Sequence, residues 1–149
     1  MKPEFTVWIH VSRPPAEVYE AVADPGILSR YFTTGGAVGR MEAGATVQWE
    51  FSDFPGAFPV EVIEAKSPER IAFDWPRADA KEESTRVTFK FEPVDGGQRT
   101  KVSVSENGWP DDDAGRAASY KNCMGWAQML AALKTWVEYG INLREGAYK

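Results

Sequence analysis

The chain has 149 residues, 43% of them apolar and 13% aromatic, and a net charge of −5. That much apolar surface in a chain of this length builds a sizeable core, which excludes disorder and fits one domain over residues 1–149. There is no basic patch and no apolar run approaching the roughly 18 residues of a membrane span, so nucleic acid and membrane are excluded as partners.

Phe5 to Val11 alternates strictly. Phe5, Val7, Ile9 and Val11 fall on one face and Thr6, Trp8 and His10 on the other, the pattern of a half-buried strand. Ser12-Arg13-Pro14-Pro15 ends it, with Pro15 suited to the first turn of a helix. Ala16 to Ala23 reads as a short helix carrying Val18, Tyr19 and Val22, broken at Asp24-Pro25. Gly26 to Phe32 reads as a second short helix, and Thr33 to Gly36 as a turn.

The pattern then changes to period two. Val47, Trp49 and Phe51 form one run, and a turn is expected at Pro55-Gly56. Phe58, Val60 and Val62 form the next. Ser67-Pro68-Glu69 turns the chain into Ile71, Phe73 and Trp75. After a charged loop, Thr85, Val87, Phe89 and Phe91 alternate with polar residues. Asp95-Gly96-Gly97 is a hairpin turn, since glycine accepts positive φ. Val102 and Val104 mark the last strand, and a weaker one is expected over Ala37 to Met41. Short connections imply antiparallel pairing.

Residues 111–140 read as one long helix, about 40 Å at 1.5 Å per residue, too long for a small domain unless it lies across the sheet. Cys123, Trp126, Leu130, Leu133 and Val137 share one stripe, widened by Met129 and Trp136 on one side and Ala127 on the other. Lys121, Gln128, Thr135 and Glu138 are expected on the wet face. Asp111-Asp112-Asp113 supplies oxygens for the free N–H groups of the first turn. Gly125, costly inside a helix, predicts a bend or a close backbone approach. The architecture expected is α+β, with only the long helix available to cover the apolar face of an antiparallel sheet.

Chemistry is harder to place. His10, the only histidine, lies on the outward face of its strand, and nothing sets it beside Cys123 as a nucleophile–base pair requires. Cys123 reads as a small buried apolar residue, and as the only cysteine it rules out an internal disulfide. One His and one Cys do not furnish a typical zinc site, so neither a metal nor a cofactor is expected. No signal-peptide run occupies residues 1–20, and the lone thiol fits a reducing compartment, so a cytoplasmic location is expected.

The informative feature is the wealth of inward aromatics. These read either as close-packed core or as the wall of an apolar cavity. Inward residues in the first half of the helix are small or polar (Ser119, Asn122, Cys123), whereas those in the second half are large. A pocket is therefore expected between Ser119, Asn122, Cys123 and Trp126 on the helix and Trp49, Phe51, Phe73, Trp75 and Phe89 on the sheet.

The chain resembles the single-domain bacterial members of the heat-shock protein 90 ATPase activator homologue family. These belong to the START-like or SRPBCC superfamily, shared with polyketide cyclases and the birch pollen allergen. Gly125-Trp126 with Leu130, Leu133-Lys134 and Glu138 carries the likeness in the last helix. Ala16 to Val22 with Asp24-Pro25 matches the family's first helix and its break. Arg30-Tyr31-Phe32 stands where the family has Arg-Trp-Phe or similar. Ser67 to Ile71 with Phe73 and Trp75, and Thr85 to Phe89 with Gly96-Gly97, match its central hairpins. The resemblance implies a helix-grip fold, a curved antiparallel sheet around a long C-terminal helix with a cavity between them. It implies no single activity.

Three readings of function follow. The first is a non-catalytic binding protein for a small apolar or aromatic molecule. The second is a cyclase or hydrolase using Ser119, Asn122 or Tyr120 in the cavity. The third is a chaperone-regulating, partner-binding domain. The lack of an evident nucleophile–base pair favours the first over the second. The lack of the additional N-terminal domain of the eukaryotic co-chaperones leaves a chaperone partner unsupported by the sequence, which also leaves the oligomeric state open.

Overall fold

A computed structural model describes residues 1–149. Strand β1 (Glu4–Val11) leads into helices α1 (Pro15–Ala23) and α2 (Pro25–Leu28). Then come β2 (Gly36–Val38), β3 (Thr46–Phe51), β4 (Phe54–Lys66), β5 (Arg70–Pro76), β6 (Ser84–Val94), β7 (Arg99–Asn107) and α3 (Asp113–Tyr139). The seven strands form one sheet in the order β1-β7-β6-β5-β4-β3-β2. Every neighbouring pair is antiparallel. This is the α+β helix-grip architecture, with β1 placed beside β7 so that the chain's first and last strands meet.

The period-two runs lie inward as the alternation predicts. Val47, Trp49, Val60, Val62, Ile71, Phe73, Val87, Phe89, Phe91, Val102 and Val104 are all buried. Leu130 and Leu133 of α3 are buried against them at 1% and 0% exposure, which fixes the face of the helix that grips the sheet. Asp112 caps α3 by accepting the Gly115 N–H at 2.7 Å. Gly140, at φ 68°, ends it in the left-handed conformation.

Several expectations are corrected. The turn between β3 and β4 lies at Ser52-Asp53, not Pro55-Gly56, because Phe51 pairs with Phe54 across it. Pro55 sits inside β4 where β5 has not yet begun to pair, so its missing N–H costs no ladder bond on that side. Helix α2 is a single turn rather than a run to Phe32. Asp24 starts it by accepting from Gly26 and Ile27, and β2 stops at Val38.

The long helix does not cover the sheet alone. Tyr19 of α1 packs edge-on to Phe91 at 5.3 Å. Phe32, just past α2, meets Trp49 at 5.8 Å. Tyr31 is fully buried and donates its hydroxyl to the Ala21 carbonyl at 2.8 Å. On α3, Ala127 is exposed and Ala132 takes the buried place. Glu138, expected in water, is only 7% exposed. It accepts from the Ser12 backbone N–H and from Lys134, so partners rather than solvent satisfy its charge.

Gly125 marks no close approach, since an added Cβ would meet nothing within 4 Å. The close approach is at Gly115, where a Cβ would lie 2.1 Å from the Pro110 carbonyl oxygen.

Candidate functional site: a buried carboxylate in an aromatic wall

The aromatic residues of β3, β4 and β5 meet α3 at one place. The Trp126 ring lies 5.1 Å from Trp75, 5.5 Å from Phe89 and 6.4 Å from Phe73. Trp49 adds an edge to Phe73 at 5.2 Å and to Trp75 at 6.3 Å. Phe58 bridges Phe51 at 5.6 Å and Trp75 at 6.2 Å. Phe32 closes the group from the α2 side, 5.5 Å from Trp126 and 5.1 Å from Phe51. Edge-to-face pairs of this kind are favourable beyond their buried area.

Within this apolar wall stands Glu106, at 0% exposure. Strand pairing puts it in an inward row otherwise made of Phe5, Val87 and Phe73. Four neutral side chains converge on its carboxylate. Trp126 Nε1 donates to Oε1 at 2.8 Å, and Trp75 Nε1 to Oε2 at 3.0 Å. Thr85 Oγ1 donates to Oε2 at 2.6 Å. Asn122 Nδ2 spans both oxygens at 3.2 and 3.0 Å. The short Thr85 contact is of the length of a charge-assisted O–H···O⁻ bond.

No cation pairs with Glu106. Burial pushes its carboxyl above the ordinary range, while the bonds from Thr85, Trp75, Trp126 and Asn122 pull against that rise. Removing a charge from water without a counter-ion is expensive, and the set of donors is what makes it tolerable.

The residues expected at the site fall into three groups. Trp49, Phe73, Phe89 and Trp126 form the buried back of the cluster. Phe51, Phe58, Trp75, Asn122 and Cys123 are half-buried. Ser119 is buried, but its hydroxyl donates to the Arg116 carbonyl of its own helix at 2.7 Å. Tyr120 is 70% exposed, on the solvent side of α3.

Arg144 lies over the Phe32 and Phe51 rings at the α2 side of the cluster. Its guanidinium sits 4.5 Å from the Phe51 ring centre, and Asp53 holds it at 3.0 Å. No three His, Cys, Asp or Glu side chains come together as ligands for a metal.

Sequence reasoning missed Glu106, Thr85 as a donor, Phe32 and Arg144. A signal for Glu106 was present. The inward alternation Val102, Val104 continues to position 106, and a charge on an inward position demands partners. Arg144 and Phe32 left no such trace, because their contacts depend on how distant segments fold back.

The model for the family described as Activator of Hsp90 ATPase homolog 1-like protein matches residues 12–138, and the chain belongs to that family. No curated protein matches it. Among solved structures, a protein from Staphylococcus saprophyticus is similar at TM-score 0.80 and 22% identity, over 95% of this chain and 96% of that one. The Aha1 dimer from Colwellia psychrerythraea is similar at 0.72 and 20%, over 93% and 98%. DynU16, a protein of the dynemicin biosynthetic locus, is similar at 0.75 and 23%, over 93% of this chain but 48% of its own. At these identities the likeness is one of fold. No helix of the protein is long and apolar enough to cross a membrane.

Proposed function

We propose that the protein binds a small apolar or aromatic molecule at an opening that would lie between Phe51, Phe58 and Trp75 of the sheet and Asn122 and Cys123 of α3. The observation that carries this is Glu106, a buried carboxylate held only by neutral donors, two of which, Trp75 and Asn122, are only half-buried. Replacing buried charge by a packed hydrophobe is often neutral or stabilising, so core stability is not a sufficient reason for such a group. A binding site does gain from it, because a few fixed polar groups in an apolar wall orient a ligand.

The same geometry speaks against proton transfer by Glu106. Five hydrogen bonds already occupy its two oxygens, leaving no free lone pair for a substrate.

Titration with an apolar fluorescent probe tests the reading. Cys123→Phe should narrow the opening and weaken probe binding about tenfold or more, the size of one lost good contact, with circular dichroism unchanged. Equal affinity in both proteins would place the bound molecule elsewhere.

A further inference from the structure

If the opening is a binding site, the groups beneath it also select the charge and polarity of what enters. A carboxylate only accepts, so the Asn122 amide must turn its Nδ2 toward Glu106 and its Oδ1 away from it. Donating to a charged acceptor polarises that amide and makes Oδ1 a stronger acceptor. Asn122 is half-buried and its Oδ1 accepts no hydrogen bond within the chain, so this oxygen is free for a ligand.

The two indole N–H groups and the Thr85 hydroxyl, which could have served a ligand's carbonyl or carboxylate, are all committed to Glu106. Behind them lies an unpaired negative charge. The cation that lies over the cluster's Phe32 and Phe51 rings, the Arg144 guanidinium, is already paired with Asp53.

We infer that the site takes aromatic molecules bearing a hydrogen-bond donor, such as a phenolic hydroxyl or an amine, and rejects anions, including the carboxylates of fatty and aromatic acids. This inference rests on the binding proposal above and adds the ligand's chemical class. The Trp75 and Phe58 rings supply the apolar contact, Asn122 Oδ1 supplies the one directional bond, and the Glu106 charge supplies the repulsion.

Isothermal titration of the whole protein with naphthol, the methyl ether of naphthol and naphthoate separates these effects on one ring system. Naphthol should bind most tightly. Its ether, which has no donor, should bind several-fold more weakly. Naphthoate should be weaker than naphthol by about tenfold or more, the size expected for like charges at short range in a partly dry site. Asn122→Leu should erase the gap between naphthol and its ether, and Glu106→Gln should narrow the gap to naphthoate.

Equal binding of all three ligands, or naphthoate binding best, overturns the selectivity while leaving the binding site standing. A naphthol preference that survives Asn122→Leu also overturns it. Should Glu106→Gln fail to fold, the ranking on the unaltered protein and the Asn122→Leu result still decide. No binding by any of the three removes the binding proposal, and this inference with it.

Discussion

The protein buries two carboxylates, one packed against α3 and one carried by it, and treats them in opposite ways. Glu138, near the C-terminal end of the helix, is met by the Lys134 ammonium and the Ser12 backbone N–H. Burial alone would raise its carboxyl, but Lys134, that N–H and the nearby Arg13 outweigh this and hold it below the ordinary range. Glu106, facing the first half of the helix, has no cation and stays above that range because burial wins. The first is a clamp between β1 and α3, closed by charge. The second is a polar centre kept in an apolar wall without charge compensation. Ion pairs tie a fold together, whereas an uncompensated charge held by neutral donors is a feature that folding alone does not require.

The comparison is broken most forcefully in the solid half of the helix. Leu130→Ala, at a fully buried position, should destabilise by about 2–5 kcal/mol, read from the shift of the denaturation midpoint. An unchanged midpoint would mean that this half is not the packed one.

Glu106→Gln comes next. An amide in place of the carboxylate turns an NH2 group toward indoles that can only donate, so about 1–3 kcal/mol should be lost in the same measurement. A variant as stable as the parent would show that Glu106 is already protonated, and so not an unpaired charge.

The pH dependence sharpens the contrast. A raised carboxyl contributes stability that is present at low pH and lost as pH rises through its folded value. A lowered one contributes stability that is present at higher pH and lost as pH falls through its folded value. The stability gap between the parent and Glu106→Gln should therefore shrink as pH rises from acid to neutral. The gap to Glu138→Gln should widen over the same range. Gaps moving in the same direction would remove the distinction between the two groups.

The smallest effect concerns the helix between them. Gly125 is exposed with open space around it, so Gly125→Ala should stabilise by about 0.5–1 kcal/mol. A loss of stability there would point to a backbone conformation that glycine alone supports.

Much of this was legible before any coordinates. Every period-two run lies in the sheet, and the stripe through Trp126, Leu130 and Leu133 is the gripping face, because apolar periodicity and burial have the same cause. Glu138 was misjudged since charge was taken as exposure. The i,i+4 spacing of Lys134 and Glu138 hinted at a pair, but the Ser12 N–H that completes it comes from another element.

The site was half legible. Trp75, Asn122 and Trp126, singled out from the sequence, do come together around one group. What joins them is a residue one step past the last apolar position counted in β7. Convergence of residues 75, 85, 122 and 126 on residue 106 is a matter of strand register and helix placement, which local pattern does not encode.

Trp75 and Trp126 donate their indole protons to different oxygens of one carboxylate. Those protons are deshielded by the charge they touch, and they belong to two of only six tryptophans. In a proton–nitrogen correlation spectrum their two indole resonances should move together whenever the Glu106 carboxylate gains a proton or shifts. The protein thus carries its own label, one that reports from inside the aromatic wall without any chemical modification.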